Sequence, residues 1–339
     1  MKAIILGLDI AKQVFQVHGV DASGAVVLRR RLRRRDVVAY FARLEPAVVG
    51  METCATAHFW ARGLRACGHD VRLMPAQCVK AYVRRNKHDA ADAEACCEAV
   101  QRPGMRFVPV KSEAAQAALM KHRVRETLMR QRTMLVNALR GHLAEIGMVA
   151  PKGREGAAQL CALVEEESDE SLPAEARTAL RPLVTLLTVL GERIASLGRE
   201  IETAHRRDPR SRLLATIPGI GPIIADTLVS SVPDPGAFRS GRDFAAWIGL
   251  TPRQNSTGGK QRPGRITKRG DTYLRRLLVN GAHAVVQKAR PGKTSPWLLS
   301  LLERRPPMLC AVALANKMAR TALAVMRTGQ PYRSRPATA

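Results

Sequence analysis

Aromatic side chains are scarce here, at 4% of 339 residues, and cysteine contributes only seven. Few aromatics argue against a base-stacking platform as the main grip on single strands, so contact with nucleic acid has to run through backbone phosphates. The seven cysteines form no Cys-x-x-Cys pair and have no matching histidine cluster. An odd count at irregular spacing excludes a disulfide framework and a zinc ribbon. No apolar run approaches the length of a membrane span. The opening Met1-Lys2-Ala3-Ile4-Ile5-Leu6-Gly7-Leu8-Asp9 is interrupted too soon for a signal peptide. The expected place of work is the cytoplasm, at the nucleoid, with no membrane partner. Acidic residues are also short, 29 against 55 basic ones, leaving a formal net charge of +26.

That imbalance implies a polyanionic partner, with nucleic acid, double-stranded DNA included, the default. It is uneven: from Arg206 onward there are 24 Lys+Arg and 6 Asp+Glu, so +18 of the +26 sits in the last part. Hydrophobic residues make up 46%, enough for a globular chain with two or three domains.

Against this basic background, Asp89 and Asp92 stand three apart in an alanine-rich segment expected to be helical from Asp89 to Val100. That spacing puts both carboxylates on one helix face. Asp9 closes the apolar run from Ala3, and Glu52 follows Ala47-Val48-Val49-Gly50-Met51; both runs read as buried strands ending in an acid. Crowded carboxylates repel unless a cation lies between them. The four acids therefore read as a site of hard oxygen ligands for Mg²⁺ or Mn²⁺. A solvated acidic helix face is the plainer reading of Asp89 and Asp92 alone.

Residues 1–110 read as α/β. Strands at Ala3–Asp9, Val14–Val20 and Ala25–Leu32 suggest an antiparallel meander, followed by a helix capped by Asp36 and running to Leu44. Then come a strand to Met51, a helix over His58–Cys67, a strand at Asp70–Met74, and helices around Ala76–Arg84 and Asp89–Val100. Three strands followed by alternating helix and strand is the order of a ribonuclease H-like (RuvC-like) fold. Residues 111–206 read as two long apolar-striped helices, about Ser112–Ile146 and Pro173–Arg206, with a solvated acidic turn at 165–170. They form either an antiparallel hairpin or a dimerisation coiled coil, since the stripe does not decide.

Residues 207–339 read as mainly helical and carry two signals. Ile217-Pro218-Gly219-Ile220-Gly221-Pro222 has the turn of a helix-hairpin-helix, with Gly219 and Gly221 presenting backbone N–H groups to phosphate. Downstream, Asn255-Ser256-Thr257-Gly258-Gly259-Lys260 sits among Arg262, Arg265, Lys268, Arg269, Arg275 and Arg276. Such a loop binds phosphate, or holds a nucleophilic hydroxyl whose phosphate is neutralised by the cations.

Taken together, GLDIAK with Asp9, GMETCATAHFWARGL with Glu52, KHDAADAEA with Asp89 and Asp92, IPGIGPIIA, and GLTPRQNSTGGKQRPGRITKRGDTYLRRLL resemble the IS110 family of insertion-sequence transposases, most closely its IS1111 branch. The resemblance covers nearly the whole chain in the family's order. It implies a RuvC-like DEDD domain, a coiled-coil middle and a C-terminal transposase domain with a catalytic serine. It also implies DNA joining through a serine–DNA intermediate at element ends and target, in a dimer or tetramer. A guide (bridge) RNA encoded by the element would direct the reaction. Ser256 matches the family's serine, with Thr257 the alternative nucleophile because it is the residue directly before Gly258. A Holliday-junction-resolvase-like endonuclease using only the acids and water, and a binding protein with idle acids, are the competing expectations.

Overall fold

The computed structural model describes residues 3–83, 88–168, 170–255, 257–258, 260, 262–292 and 294–333. The chain forms two compact units, Met1–Ala115 and Gln116–Ala339, taken separately below.

In the first unit the elements run β1 (Ile5–Asp9), β2 (Val14–Val20), β3 (Val26–Arg33), α1 (Val37–Phe41), β4 (Val48–Glu52), α2 (Ala57–Ala66), β5 (Asp70–Met74), α3 (Ala76–Val79) and α4 (Asp89–Val100). The sheet order is β3-β2-β1-β4-β5: the first three strands are an antiparallel meander, and β4 and β5 run parallel to β1. This is the ribonuclease H-like arrangement anticipated from the strand order. Helices cover both faces. Phe41 of α1 and Trp60 and Leu64 of α2 pack on Leu6, Leu8, Phe15, Val49 and Met51. On the other face Ala95, Cys96, Ala99 and Val100 of α4 form a smaller core with Met74 and Val79. Three local expectations need correction. Asp36 stands at the start of α1 without a side-chain cap, because a 3-10 turn over Arg34–Asp36 leads into the helix. That helix ends at Phe41, not Leu44. The helix from Ala76 stops at Val79 and tightens to a 3-10 turn over Lys80–Tyr82.

The second unit contains most of α5 (Glu113–Glu145), then α6 (Arg154–Glu165), α7 (Ala174–Arg207), α8 (Pro209–Leu214), α9 (Pro222–Ser231), α10 (Gly241–Ile248), β6 (Pro252–Gln254), β7 (Pro263–Ile266), α11 (Thr272–Gln287), α12 (Pro296–Arg304) and α13 (Pro307–Thr328). The long helices make an antiparallel hairpin within one chain. Lys121 of α5 meets Glu200 of α7 at 3.5 Å, while Leu139 and Leu143 share a core with Leu180, Val184 and Leu187. Leu180, Leu187, Ile194 and Ile201 are all buried at a seven-residue repeat, the seam of coiled-coil packing. Helix α6 was not anticipated: its Leu160 and Val164 complete that core, in a stretch read from sequence only as a break before an acidic turn.

Among the described residues, α13 is the one helix long and apolar enough to cross a membrane by length and composition. This corrects the expectation that no stretch reaches spanning length. It is nevertheless the central helix of the second unit, burying Cys310, Ala311, Ala315, Met318, Ala322 and Leu323 in a core shared with α8, α9, α10 and α11.

The α4–sheet contact is closest at two glycines. A Cβ at Gly50 would lie 2.7 Å from the Cys96 carbonyl oxygen, and one at Gly7 would run into the backbone of Ala93 and Cys97. Backbone cannot move aside as a flexible side chain can. Gly7→Ala is expected to cost about 1–3 kcal/mol, as overpacking does. The change should lower the thermal midpoint of the first unit far more than Gly24→Ala at the open turn, even though that glycine has a positive φ. Equal shifts in a melting experiment would refute the close-packing account.

Candidate active site

Strands β1 and β4 are parallel neighbours in the register Leu8↔Met51, so Asp9 and Glu52 leave the sheet side by side at its carboxyl end. Adjacent strands are about 4.8 Å apart, which sets the scale of their separation. Asp89 and Asp92 occupy the first turn of α4, the helix lying over that face. His88 caps the helix: its Nδ1 accepts from the Ala91 N–H at 3.1 Å. The positive end of the helix dipole favours carboxylates in this turn.

All four acids act on one point. Asp9 is half-buried, and its pKa is pushed from 3.8 up to about 6. Burial is the largest cause, followed by the charges of Asp92, Asp89 and Glu52, against a small opposing bond from the Ile10 amide. Beneath them Cys96 is buried; burial first, then Asp9, Glu52 and Asp92, push its thiol up. The four acids offer oxygen donors only, a set that suits a hard divalent cation. As they stand, no three His, Cys, Asp or Glu side chains among the described residues are gathered tightly enough to ligate an ion. A cation would have to draw the acids in.

The second expected locus folds as an exposed antiparallel ribbon, β6 paired with β7. Near its tip Thr257 and Lys260 exchange backbone hydrogen bonds of 3.3 and 3.1 Å, and Gly258 takes a φ of +55°. Ser256 lies outside the described residues, as do Gly259 and Gln261. Thr257, Lys260, Arg262, Arg265, Lys268 and Arg269 are all exposed, and no acidic residue occurs between Asp243 and Asp271. The Arg275 side chain is buried, and its Nη1 donates to the carbonyls of Ile248 (3.0 Å) and Arg269 (3.1 Å), bracing the base of the ribbon. Arg276 is exposed but pairs with Glu126 of α5 at 2.9 Å.

The helix-hairpin-helix is formed by α8, the turn and α9. Its two glycines differ. Gly219, at φ +88°, presses against α11, where a Cβ would lie 3.0 Å from the Gly281 carbonyl oxygen. Gly221 is exposed at the start of α9 with open space above it. Sequence reading missed the cluster behind this turn. His122 of α5 is fully buried: its Nε2 donates to Asp226 at 2.7 Å, and its Nδ1 lies 3.2 Å from Thr227 Oγ1 and 3.3 Å from the Tyr273 hydroxyl. The partners are more than 100 positions away in sequence, so no local pattern could disclose it.

Comparison with known proteins gives one answer along the whole chain. Residues 6–148 match the DEDD transposase domain of IS110 type, and residues 211–295 match the transposase IS116/IS110/IS902 family. The chain is 51% identical over 331 residues to a probable family 20 transposase of Pseudomonas aeruginosa, covering 97% of this chain and 98% of that protein. It is 39% identical to the transposase for insertion sequence element IS1328 of Yersinia enterocolitica, with 97% and 98% covered. It is 36% identical to the transposase for IS1111A of Coxiella burnetii, with 97% and 91% covered.

The elevated Asp9 pKa has a sign that can be tested. The folded state binds more protons than the unfolded one between pH 3.8 and about 6. Its stabilising effect is whole below that window and is lost as pH rises through it. Without divalent cations, Asp9→Asn is therefore expected to raise the melting temperature at pH 8, by about 2–4 °C per kcal/mol recovered. Adding Mg²⁺ or Mn²⁺ should stabilise the wild type more than the variant. A variant that melts lower than wild type in chelator would contradict the repulsion account.

Proposed function

Because the chain belongs to the IS116/IS110/IS902 family of transposases, we propose that it cuts and rejoins DNA at the ends of its element and at a target, through a serine–DNA ester, with Asp9, Glu52, Asp89 and Asp92 holding Mg²⁺ or Mn²⁺. The observation that carries this is the placement of four acids at two adjacent strand ends and one helix turn, where burial first and then the charges of Asp92, Asp89 and Glu52 raise the Asp9 pKa to about 6. A DEDD domain implies use of divalent metal in general, and the all-oxygen donor set fits it.

Bound there, the metal supplies a Lewis acid that neutralises charge on the scissile phosphate. The chain's own groups do the rest. The hydroxyl of Ser256 attacks phosphorus, forming a Ser Oγ–P bond as the bond from phosphorus to the sugar oxygen breaks. The serine hydroxyl gives up its proton to solvent as it attacks, and the departing sugar oxygen takes one up from solvent, so the exchange is proton-neutral. Attack by a sugar hydroxyl on the ester reverses the step, so strands are rejoined without ATP. Lys260, Arg262 and Arg265 offset the charge that develops on phosphate, and Lys268, Arg269 and Arg276 hold the flanking backbone. Support comes from the exposure of Lys260, Arg262, Arg265, Lys268 and Arg269 in one acid-free stretch. The Gly221 end of α9 adds a contact without sequence preference. An element-encoded guide RNA selects the target, gripped through phosphates by the basic faces, in a homo-oligomer working at the nucleoid. The acid-free ribbon and the low aromatic content favour that mode of grip.

Three substitutions test this reading, and the protein–DNA adduct separates it from a hydrolytic resolvase. Asp9→Ala should abolish strand breakage in Mg²⁺ while leaving DNA binding nearly intact. Ser256→Ala should eliminate the denaturation-resistant protein–DNA adduct and all rejoining, and Thr257→Ala should only weaken them. Peptide mass spectrometry of the adduct locates the bond. Attachment at Thr257 would move the nucleophile by one residue, and cleavage with no adduct would establish the resolvase chemistry.

A further inference from the structure

A concavity of about 320 Å³ opens beside α4 in the first unit, lined by Gln16, His18, Arg29, Arg31, His88 and Glu94 among others. The sheet register ties it to the four acids. Gly7 faces α4, so Asp9, two residues on, faces the same way. Across the meander, Asp9 pairs with Gln16 and Gln16 with Arg31; in the next row Gly7 pairs with His18 and His18 with Arg29. Paired residues share a sheet face. A single row therefore runs from the Asp9 carboxylate through Gln16 to the Arg31 guanidinium, across two strand spacings of about 5 Å each.

The pocket is built for an anion. Arg29 and Arg31, on the pocket's face of β3, line it against the carboxylate of Glu94, leaving it net positive, while Arg30 pairs with Val17 on the opposite face. His18 is only 5% exposed and lines the pocket. Burial lowers its pKa, opposed by Glu94 and assisted by Arg29, which favours a neutral ring with one N–H to donate. Charged residues on an outermost strand also discourage edge pairing, but that purpose needs no concavity lined by a glutamine and a histidine.

We propose that this pocket binds a backbone phosphate of the DNA strand being cut, next to the scissile one, and so sets how far the strand is drawn across the acids. Gln16 and His18 donate to the phosphate oxygens while Arg29 and Arg31 neutralise them. The assignment rests on the reading of the four acids as the DNA-cleaving centre, and the experiment separates the two.

The full-length chain is titrated with a short fluorescein-labelled single-stranded DNA, and with RNA of the same sequence, over a range of salt concentrations. Arg29→Ala/Arg31→Ala removes two exposed edge-strand side chains, so folding is not at stake. Its slope of log K against log salt should be shallower on DNA by about 0.7–1.4, one or two single-strand phosphate contacts. Arg33→Ala/Arg43→Ala removes the same charge from exposed positions outside the pocket and should leave the slope near that of wild type. Equal changes in both pairs, no change in either, or a change on RNA alone would each overturn the proposal. Asp9→Ala is run in parallel for cleavage. If it still cuts, the four-acid reading fails, while the slopes continue to judge the pocket.

Discussion

The first unit depends on how closely α4 lies on its sheet. Two glycines, Gly7 on β1 and Gly50 on β4, let a helix backbone rest directly on strand backbones. Only at that separation can the first turn of α4 bring Asp89 and Asp92 over the strand ends that carry Asp9 and Glu52. The result is an energetically uncomfortable concentration of negative charge, visible in the Asp9 pKa of about 6. Helix dipole, burial and the oxygen-only donor set do not remove that repulsion; they hold the groups where a cation relieves it. Local instability of this kind is the mark of a site preorganised for a charged ligand.

The second unit solves a different problem, namely keeping exposed, basic and flexible-looking pieces in a fixed frame. The ribbon has almost no core of its own. Arg275 holds its base by bonding to the carbonyls on either side, at Ile248 and Arg269. The hairpin before α9 is seated by the contact of Gly219 with Gly281, and α9 itself is bonded to α5 through Asp226 and His122. Since Tyr273 of α11 reaches the same histidine, one buried side chain connects the three helices that lead to the hairpin, the ribbon and the long hairpin. An uncompensated Asp226 would be expensive in so dry a place, which makes this joint stiff.

Much of this was legible in the residues. Strand alternation and apolar runs ending in acids gave the strands of the first unit, the long helices and the acid-bearing elements to within a few positions, because each depends on local periodicity. Long-range features were not legible. His122 sits in a basic amphipathic stretch and looks like a surface residue until Asp226 is placed beside it. Arg275 stands in a run of cations whose pattern suggests phosphate binding, yet the fold folds it inward. Helix α6, whose Leu160, Cys161 and Val164 follow a helical spacing, was hidden by the Pro-Gly break before it and the acidic run after it. Gln16, His18 and Arg29 are unremarkable as sequence and acquire meaning only from cross-strand register.

The central position of α13 has a consequence for synthesis. The first unit is complete in the first third of the chain and can fold while the rest is still being made. The second unit cannot close its core until α13 has left the ribosome, because α8, α10 and α11 all pack on it. At ordinary translation rates the interval between the two events is on the order of tens of seconds. During that time the acids are already assembled, whereas the ribbon-bearing unit still exposes apolar helix faces. The nascent chain thus passes through a stage with a formed acid cluster but no completed platform for the serine loop, and any interruption before α13 leaves a product held at that stage.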